Sequence, residues 1–184
     1  MSRSVRFHEF GGPEVLKIED VVVPDPGPKE VRLRIKAIGL NRSEVLTRSG
    51  RAATKATLPA QLGLEAAGAI EALGSDVDGL AVGDRVAVIP GEAGRGYYGE
   101  VALAPARTLV KVPHNQSWQD AAATWMAFAT AWTGLIDIAR LSAGRIVLIT
   151  AASSSTGLAA IQIARKVGAT PIALTRTSAK AAAL

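Results

Sequence analysis

The sequence predicts a mixed α/β fold: a β-rich, barrel-like first part followed by the start of a doubly wound parallel sheet. Three observations predict it. Short apolar–polar alternations broken by Gly and Pro fill the first hundred or so residues. An Ala-rich apolar stretch spans residues 121–139. From Arg145 to Lys180 an apolar run, a turn of small residues, a helical pattern and a second apolar run follow one another.

The elements can be justified in order. After the turn sequence PDPGP, residues 31–38 alternate Val31, Leu33 and Ile35 with Arg32, Arg34 and Lys36, the pattern of a half-buried strand. Further short strands are expected over 68–73, 85–89, 100–104 and 109–112, separated by turns containing Gly or Pro. A short helix fits 43–49. Another begins after Ser117, which with Asp120 makes a pair like a capping box. A successor around 127–139 runs into the turn Leu141-Ser142-Ala143-Gly144. Ala and Thr content, with Asp137, makes the 121–139 stretch a buried helix pair rather than a membrane span. The expected division is 1–117 and 118–184.

The segment from Arg145 to Lys180 carries the chemistry. A strand over 146–149 leads into the turn 151–157, then a helix over 158–167 and a strand over 171–174. Strand, tight turn, helix, strand opens a Rossmann-type dinucleotide-binding sheet, whose turn aims N–H groups and a helix N-terminus at a pyrophosphate. Ala152, Ser153, Ser154, Ser155, Thr156 and Gly157 are the expected contacts. Gly157 is the one glycine of the turn, and Ser154 serves at the middle position if its φ is negative. An NAD site wants an acidic residue about 20 positions on. Here Arg176, Ser178 and Lys180 stand after the second strand, groups that attract a 2′-phosphate. Arg176 and Lys180 also fit a solvated surface loop. Residues 145–184 contain five basic side chains and no Asp or Glu, so the whole net charge of +5 lies there. A polyanionic cofactor explains this, and so do acidic partners in a further part of the protein.

Other chemistries recede. There is no cysteine, which removes disulfides, thiol catalysis and thiolate metal sites and fits a reducing, cytoplasmic setting. The first ten residues lack the apolar region of a signal peptide, so the Asn-x-Ser sites at Asn41 and Asn115 carry no glycosylation argument. Nucleic acid and membrane partners are not expected: aromatics are 4% and no basic stripe interleaves with them. His8 and His114 have no recognisable partners and read as surface residues. ASSSTG lacks the flanking glycines of a nucleophile elbow. GEAGRGYYG, at 91–99, reads as a mobile loop near the active cleft rather than a phosphate loop, because no Lys-Ser or Lys-Thr follows.

The segments AIGLNRSEVLTRSG, LGLEAAGAIEALG, GDRVAVI, YYGEVALAPARTLVKVP and AAATWMAFATAWTGL, with the nucleotide turn, resemble the medium-chain dehydrogenase/reductase superfamily in order and spacing. The likeness is closest to its zinc-free quinone oxidoreductase branch. It implies a chaperonin-10-like barrel joined to a nucleotide-binding domain. It also implies a quinone or enone-type substrate and a homodimeric parent enzyme, while the missing carboxylate and the presence of Arg176 and Lys180 favour NADPH as cofactor. Zinc relatives place a Cys ligand at the position of Asn41 and a His just before the Glu matching Glu65. Here that second position is Leu64, which has no lone pair, and Asn41 is too weak to anchor zinc alone, so no metal is expected. The resemblance puts Asn41 beside nicotinamide and substrate and Thr130 on the nicotinamide side. On their own residues, Asn41 also fits a turn position and Thr130 a helix hydroxyl bonded to its own backbone. Leu46 stands where many relatives carry an aromatic, so stacking from there is lost. The chain stops two strands into the nucleotide domain, too few to flank a crevice, and the expectation is a piece of a longer enzyme. An enoyl-thioester or enone reductase, and a noncatalytic binding module, stand as alternatives.

Overall fold

The computed structural model describes residues 1–91 and 95–183, with the backbone alone at Ser178, Ala182 and Ala183. Two compact units divide within one helix, Met1–Trp125 and Met126–Leu184.

The first unit is built on two antiparallel sheets. Strands β1 (Ser2–Phe7), β2 (Lys17–Val21) and β4 (Ala60–Gln61) form one, in the order β2-β1-β4. Strands β3 (Glu30–Ile38), β5 (Ala66–Leu73), β6 (Arg85–Val88), β7 (Val101–Pro105) and β8 (Leu109–Lys111) form the other, ordered β7-β3-β5-β6-β8. All five strands of the larger sheet lie where the alternating pattern puts them. The smaller sheet was not expected: KIEDV and AQ carry almost no apolar alternation, and β1 supplies the pairing surface for both. Val5 N–H donates to Tyr98 O at 2.8 Å and Glu100 N–H to Arg3 O at 3.0 Å, which carries β1 across to the other sheet and gives the barrel-like closure.

The β3 alternation does what its pattern requires. Val31 and Leu33 are fully buried and pack with Ile70, Val86, Val88, Ala102 and Ala104. Arg32 and Arg34, on the other face, reach Glu71 and, for Arg32, Asp25. The short helix α1 (Arg42–Arg48) follows β3 directly.

Helix α2 (Trp118–Trp132) begins as expected: Asp120 N–H donates to Ser117 Oγ at 3.0 Å. The expected helix pair is corrected to one continuous helix that passes into a π-helical turn, Thr133–Ile138. No Gly or Pro stands between Trp118 and Trp132, so nothing breaks the ladder there. Ala121 and Ala122 of the helix bury in one cluster and Ala127 and Ala131 in another, while Trp132 is 48% exposed.

In the second unit, β9 (Ile146–Ile149) and β10 (Thr170–Ala173) pair in parallel, with α3 (Ser155–Lys166) as the crossover. Helix α3 starts three residues earlier than its apolar periodicity suggests, because Ser154 caps it. Ala159, Ala160, Ile161 and Ile163 bury against Ile149, Ala152 and Val147. His8 corrects another expectation: its Nε2 lies 2.6 Å from Glu19 Oε1. Among the described residues no helix is long and apolar enough to cross a membrane.

Candidate functional site

In the second unit the chain leaves β9 through Ala151, at φ +50°, and enters α3 at Ser155. Ser154 has φ −77° and ψ 162°, and its hydroxyl accepts from Gly157 N–H at 3.1 Å. Gly157 sits where a Cβ would lie 2.6 Å from Ala152 O and 2.7 Å from Ala151 O. Any side chain there would push the helix off the turn. Ala152 is fully buried and its N–H donates to Leu174 O at 3.1 Å. The N–H groups of Ala152, Ser154 and Gly157 are therefore spent inside the protein. Those of Ser153, Ser155 and Thr156 have no bond among the described residues, and the last two are first-turn donors of α3.

Leu174 N–H donates to Ile149 O at 2.9 Å, and Ala173 is in register with Ile149. The residues after β10 therefore emerge at the same sheet edge as the turn, the edge at which open α/β sheets take ligands. There Thr177 N–H donates to Thr175 Oγ1 at 3.2 Å. Arg176 and Lys180 are exposed and make no ion pair among the described residues. The Ser178 side chain lies outside the described residues. Thr130 is exposed on α2, and its hydroxyl donates to Met126 O at 2.6 Å, the local back-bond open to any helix Thr.

The first unit holds a tighter cluster around Asn41. Asn41 precedes α1 in an extended conformation, φ −123° and ψ 141°, not the left-handed turn its residue type allows. Its N–H donates to Glu44 Oε2 at 2.7 Å and its Nδ2 to Glu65 Oε1 at 3.0 Å. Glu44, 4% exposed, also accepts from Tyr98 Oη at 2.6 Å on Oε2 and from Leu64 N–H at 2.9 Å on Oε1. Burial, then the bond to Glu44, pushes the Tyr98 phenol far above the ordinary range. Gly63, at φ +118°, makes the crossing possible: a Cβ there would lie 2.3 Å from Tyr97 N. An open cleft of about 830 Å³ is lined by Glu44, Thr47, Gly63, Leu64, Arg95 and Gly96, among others. Arg95 is paired with Glu30 at 2.5 Å. Residues 92–94 of the glycine-rich loop lie outside the described residues.

Sequence reasoning named Asn41 and did not find Glu44 or Tyr98. The spacing of Asn41 and Glu44 is that of a capping box and could have flagged Glu44. Nothing in YYGE marks Tyr98, whose partner lies 54 residues away. Leu46, where stacking was given up, is 37% exposed, and His114 lies on the surface. Among the described residues no three His, Asp or Glu side chains gather into a metal-binding group.

Residues 27–114 match the alcohol dehydrogenase GroES-like domain. Human quinone oxidoreductase is 41% identical over 169 residues, which is 91% of this chain and 51% of that protein. The crystal structure of Escherichia coli quinone oxidoreductase complexed with NADPH superposes with a TM-score of 0.87 at 32% identity, covering 98% of this chain and 54% of that one. The CurK enoyl reductase superposes with a TM-score of 0.89 at 27% identity, covering 99% and 57%. The chain spans about half the length of the curated relatives it matches.

Proposed function

We infer that this chain belongs to the medium-chain dehydrogenase/reductase superfamily, alongside its quinone oxidoreductases, and on that premise we propose that its residues serve an NADPH-dependent, zinc-free reductase of quinones. The cofactor would supply a hydride, and the protein supplies position and polarity. The observation that carries the reading is the shared sheet edge of the second unit. There the donors of Ser153, Ser155 and Thr156 and the guanidinium of Arg176 emerge together, with no carboxylate after β10. The N–H groups at the start of α3 would hold the pyrophosphate, with Ala152 and Gly157 shaping the turn. Arg176, with Ser178 and Lys180, would meet the 2′-phosphate. Thr130 would orient the nicotinamide, breaking its back-bond to Met126 to do so.

In the first unit Asn41 would orient the reacting rings. The Leu64 side chain has no lone pair to offer a metal, which weighs against a metal alkoxide route there. The likeness to an enoyl reductase favours a second reading, reduction of an enone or enoyl thioester on the same residues.

The test is cofactor discrimination. Arg176→Ala should weaken NADPH by roughly tenfold or more, the loss of one charge-assisted contact, and leave NADH nearly unchanged. Equal losses for both cofactors, read by fluorescence titration, would mean that Arg176 never meets the 2′-phosphate.

A further inference from the structure

The Glu44 carboxylate joins three stretches of chain that are far apart in sequence. Oε2 accepts from Asn41 N–H at 2.7 Å, just before α1, and from Tyr98 Oη at 2.6 Å, near the end of the glycine-rich segment. Oε1 accepts from Leu64 N–H at 2.9 Å, before β5. The backbones of the second and third stretches are tied as well: Tyr98 N–H donates to Leu62 O at 2.9 Å and Tyr97 N–H to Gly63 O at 3.2 Å. One residue beyond Leu64, Glu65 is 3% exposed and takes the Asn41 amide through Oε1 at 3.0 Å. The Asn41 side chain is therefore held from Glu65, while its backbone is held from Glu44.

We propose that Glu44 and Tyr98 are positioning residues for Asn41, the phenol–carboxylate contact fixing the carboxylate that in turn sets where the Asn41 amide lies. The chemistry of the contact explains the residue types. Both carboxylate oxygens face backbone N–H donors, so an amide at position 44 would turn its NH₂ toward one of them, donor against donor. A buried acceptor that loses a donor is costly, so a Phe at position 98 leaves the carboxylate less well fixed. Glu44 and Leu64 also line the open cleft, so displacement of this carboxylate changes the cleft wall as well as the bond to Asn41 N–H. The functional weight of the proposal rests on the reading of Asn41 as a residue that orients the reacting rings.

The experiment compares the 184-residue chain with its Tyr98→Phe and Glu44→Gln variants, using two readouts. The first is the NMR signal of the Asn41 side-chain amide without ligand. It should shift in both variants, and its exchange with water should quicken roughly three- to tenfold, while the urea midpoint of Tyr98→Phe moves little. The second is NADPH affinity by fluorescence, expected to fall by a similar factor in Tyr98→Phe. An unchanged Asn41 amide in both variants overturns the proposal, and so does loss of the fold in both, which would make the contact a folding determinant. The amide is read with no cofactor present. A wild-type chain that does not bind NADPH would therefore sink the functional reading alone, leaving this proposal to be judged on the amide.

Discussion

Tyr97 and Tyr98 are the only tyrosines of the chain and they are neighbours, yet their hydroxyls meet opposite circumstances. Tyr98 donates to Glu44; Tyr97 is 3% exposed and its Oη has no partner among the described residues. An unsatisfied buried hydroxyl costs about 1 kcal/mol or more, so Tyr97→Phe should be neutral or stabilising by up to about 1 kcal/mol in urea denaturation. Loss of stability would mean that the hydroxyl has a partner after all. Burial raises both phenols, most strongly Tyr98. A group raised on folding contributes stability that is complete below its unfolded value and fades as pH climbs towards the folded one. The tyrosinate absorbance of the native chain should therefore rise at higher pH than that of the urea-unfolded chain, which should show its step near pH 10. Coincident native and unfolded titrations would mean that neither phenol is raised by burial. Legibility at this scale was uneven. Asn41 was named through the family resemblance, Gly157 through the turn between an apolar run and a helical pattern, and Arg176 through the lack of a carboxylate after the second strand. Glu65 and Tyr98 act through contacts 24 and 54 residues away in sequence, which local pattern cannot encode; Glu44 has such contacts too, and only its capping-box spacing from Asn41 was open to a local reading.

Among the elements, α3 depends most on one side chain. The Ser154 hydroxyl satisfies Gly157 N–H and sets where the helix starts. Ser154→Ala should cost about 1 kcal/mol and be seen first as faster hydrogen exchange in the opening turn of α3. Unchanged exchange would mean the cap is idle. In the larger sheet β3 was legible because it alternates against a buried core, and the other strands because they are short apolar runs between turns containing Gly or Pro. The smaller sheet was not, since β2 and β4 are recruited by β1 rather than by their own pattern. The helix behind Ser117 was legible at its start, where a cap marks it, and misread at its middle, where an Ala-rich run offers no boundary. In the pair β9–β10, Ile146, Leu148, Ile172 and Leu174 are 69%, 59%, 44% and 41% exposed, a bare apolar face on a parallel sheet. Parallel sheets are ordinarily covered on both faces. Leu148→Ser should therefore leave the urea midpoint nearly unchanged; a large loss of stability would mean that this face is covered.

Over the molecule as a whole, stability should differ between the two units. The first carries five- and three-stranded sheets around several buried clusters; the second rests on two strands and one helix packed against them. Hydrogen exchange under native conditions should show β9, β10 and α3 opening at lower free energy than β3 and β5. Acid sensitivity belongs to the first unit. The Arg3 guanidinium holds the Glu100 carboxyl below its usual range, Gly27 N–H and then Arg95 do so for Glu30, and Lys111 for Asp84. A carboxyl depressed on folding contributes stability that is present above its ordinary value and lost as pH falls through the depressed one. The urea midpoint of β3 and β5 should stay level down to about pH 4 and then decline, modestly because these pairs are exposed. A midpoint that falls steadily from neutral pH would point to other groups.

Titration of the 184-residue chain with NADPH in the presence of EDTA, followed by cofactor fluorescence, tests the central claim most directly. A saturable change that Arg176→Ala weakens is the predicted result. An unchanged signal, or a change that appears only when zinc is restored, would contradict it.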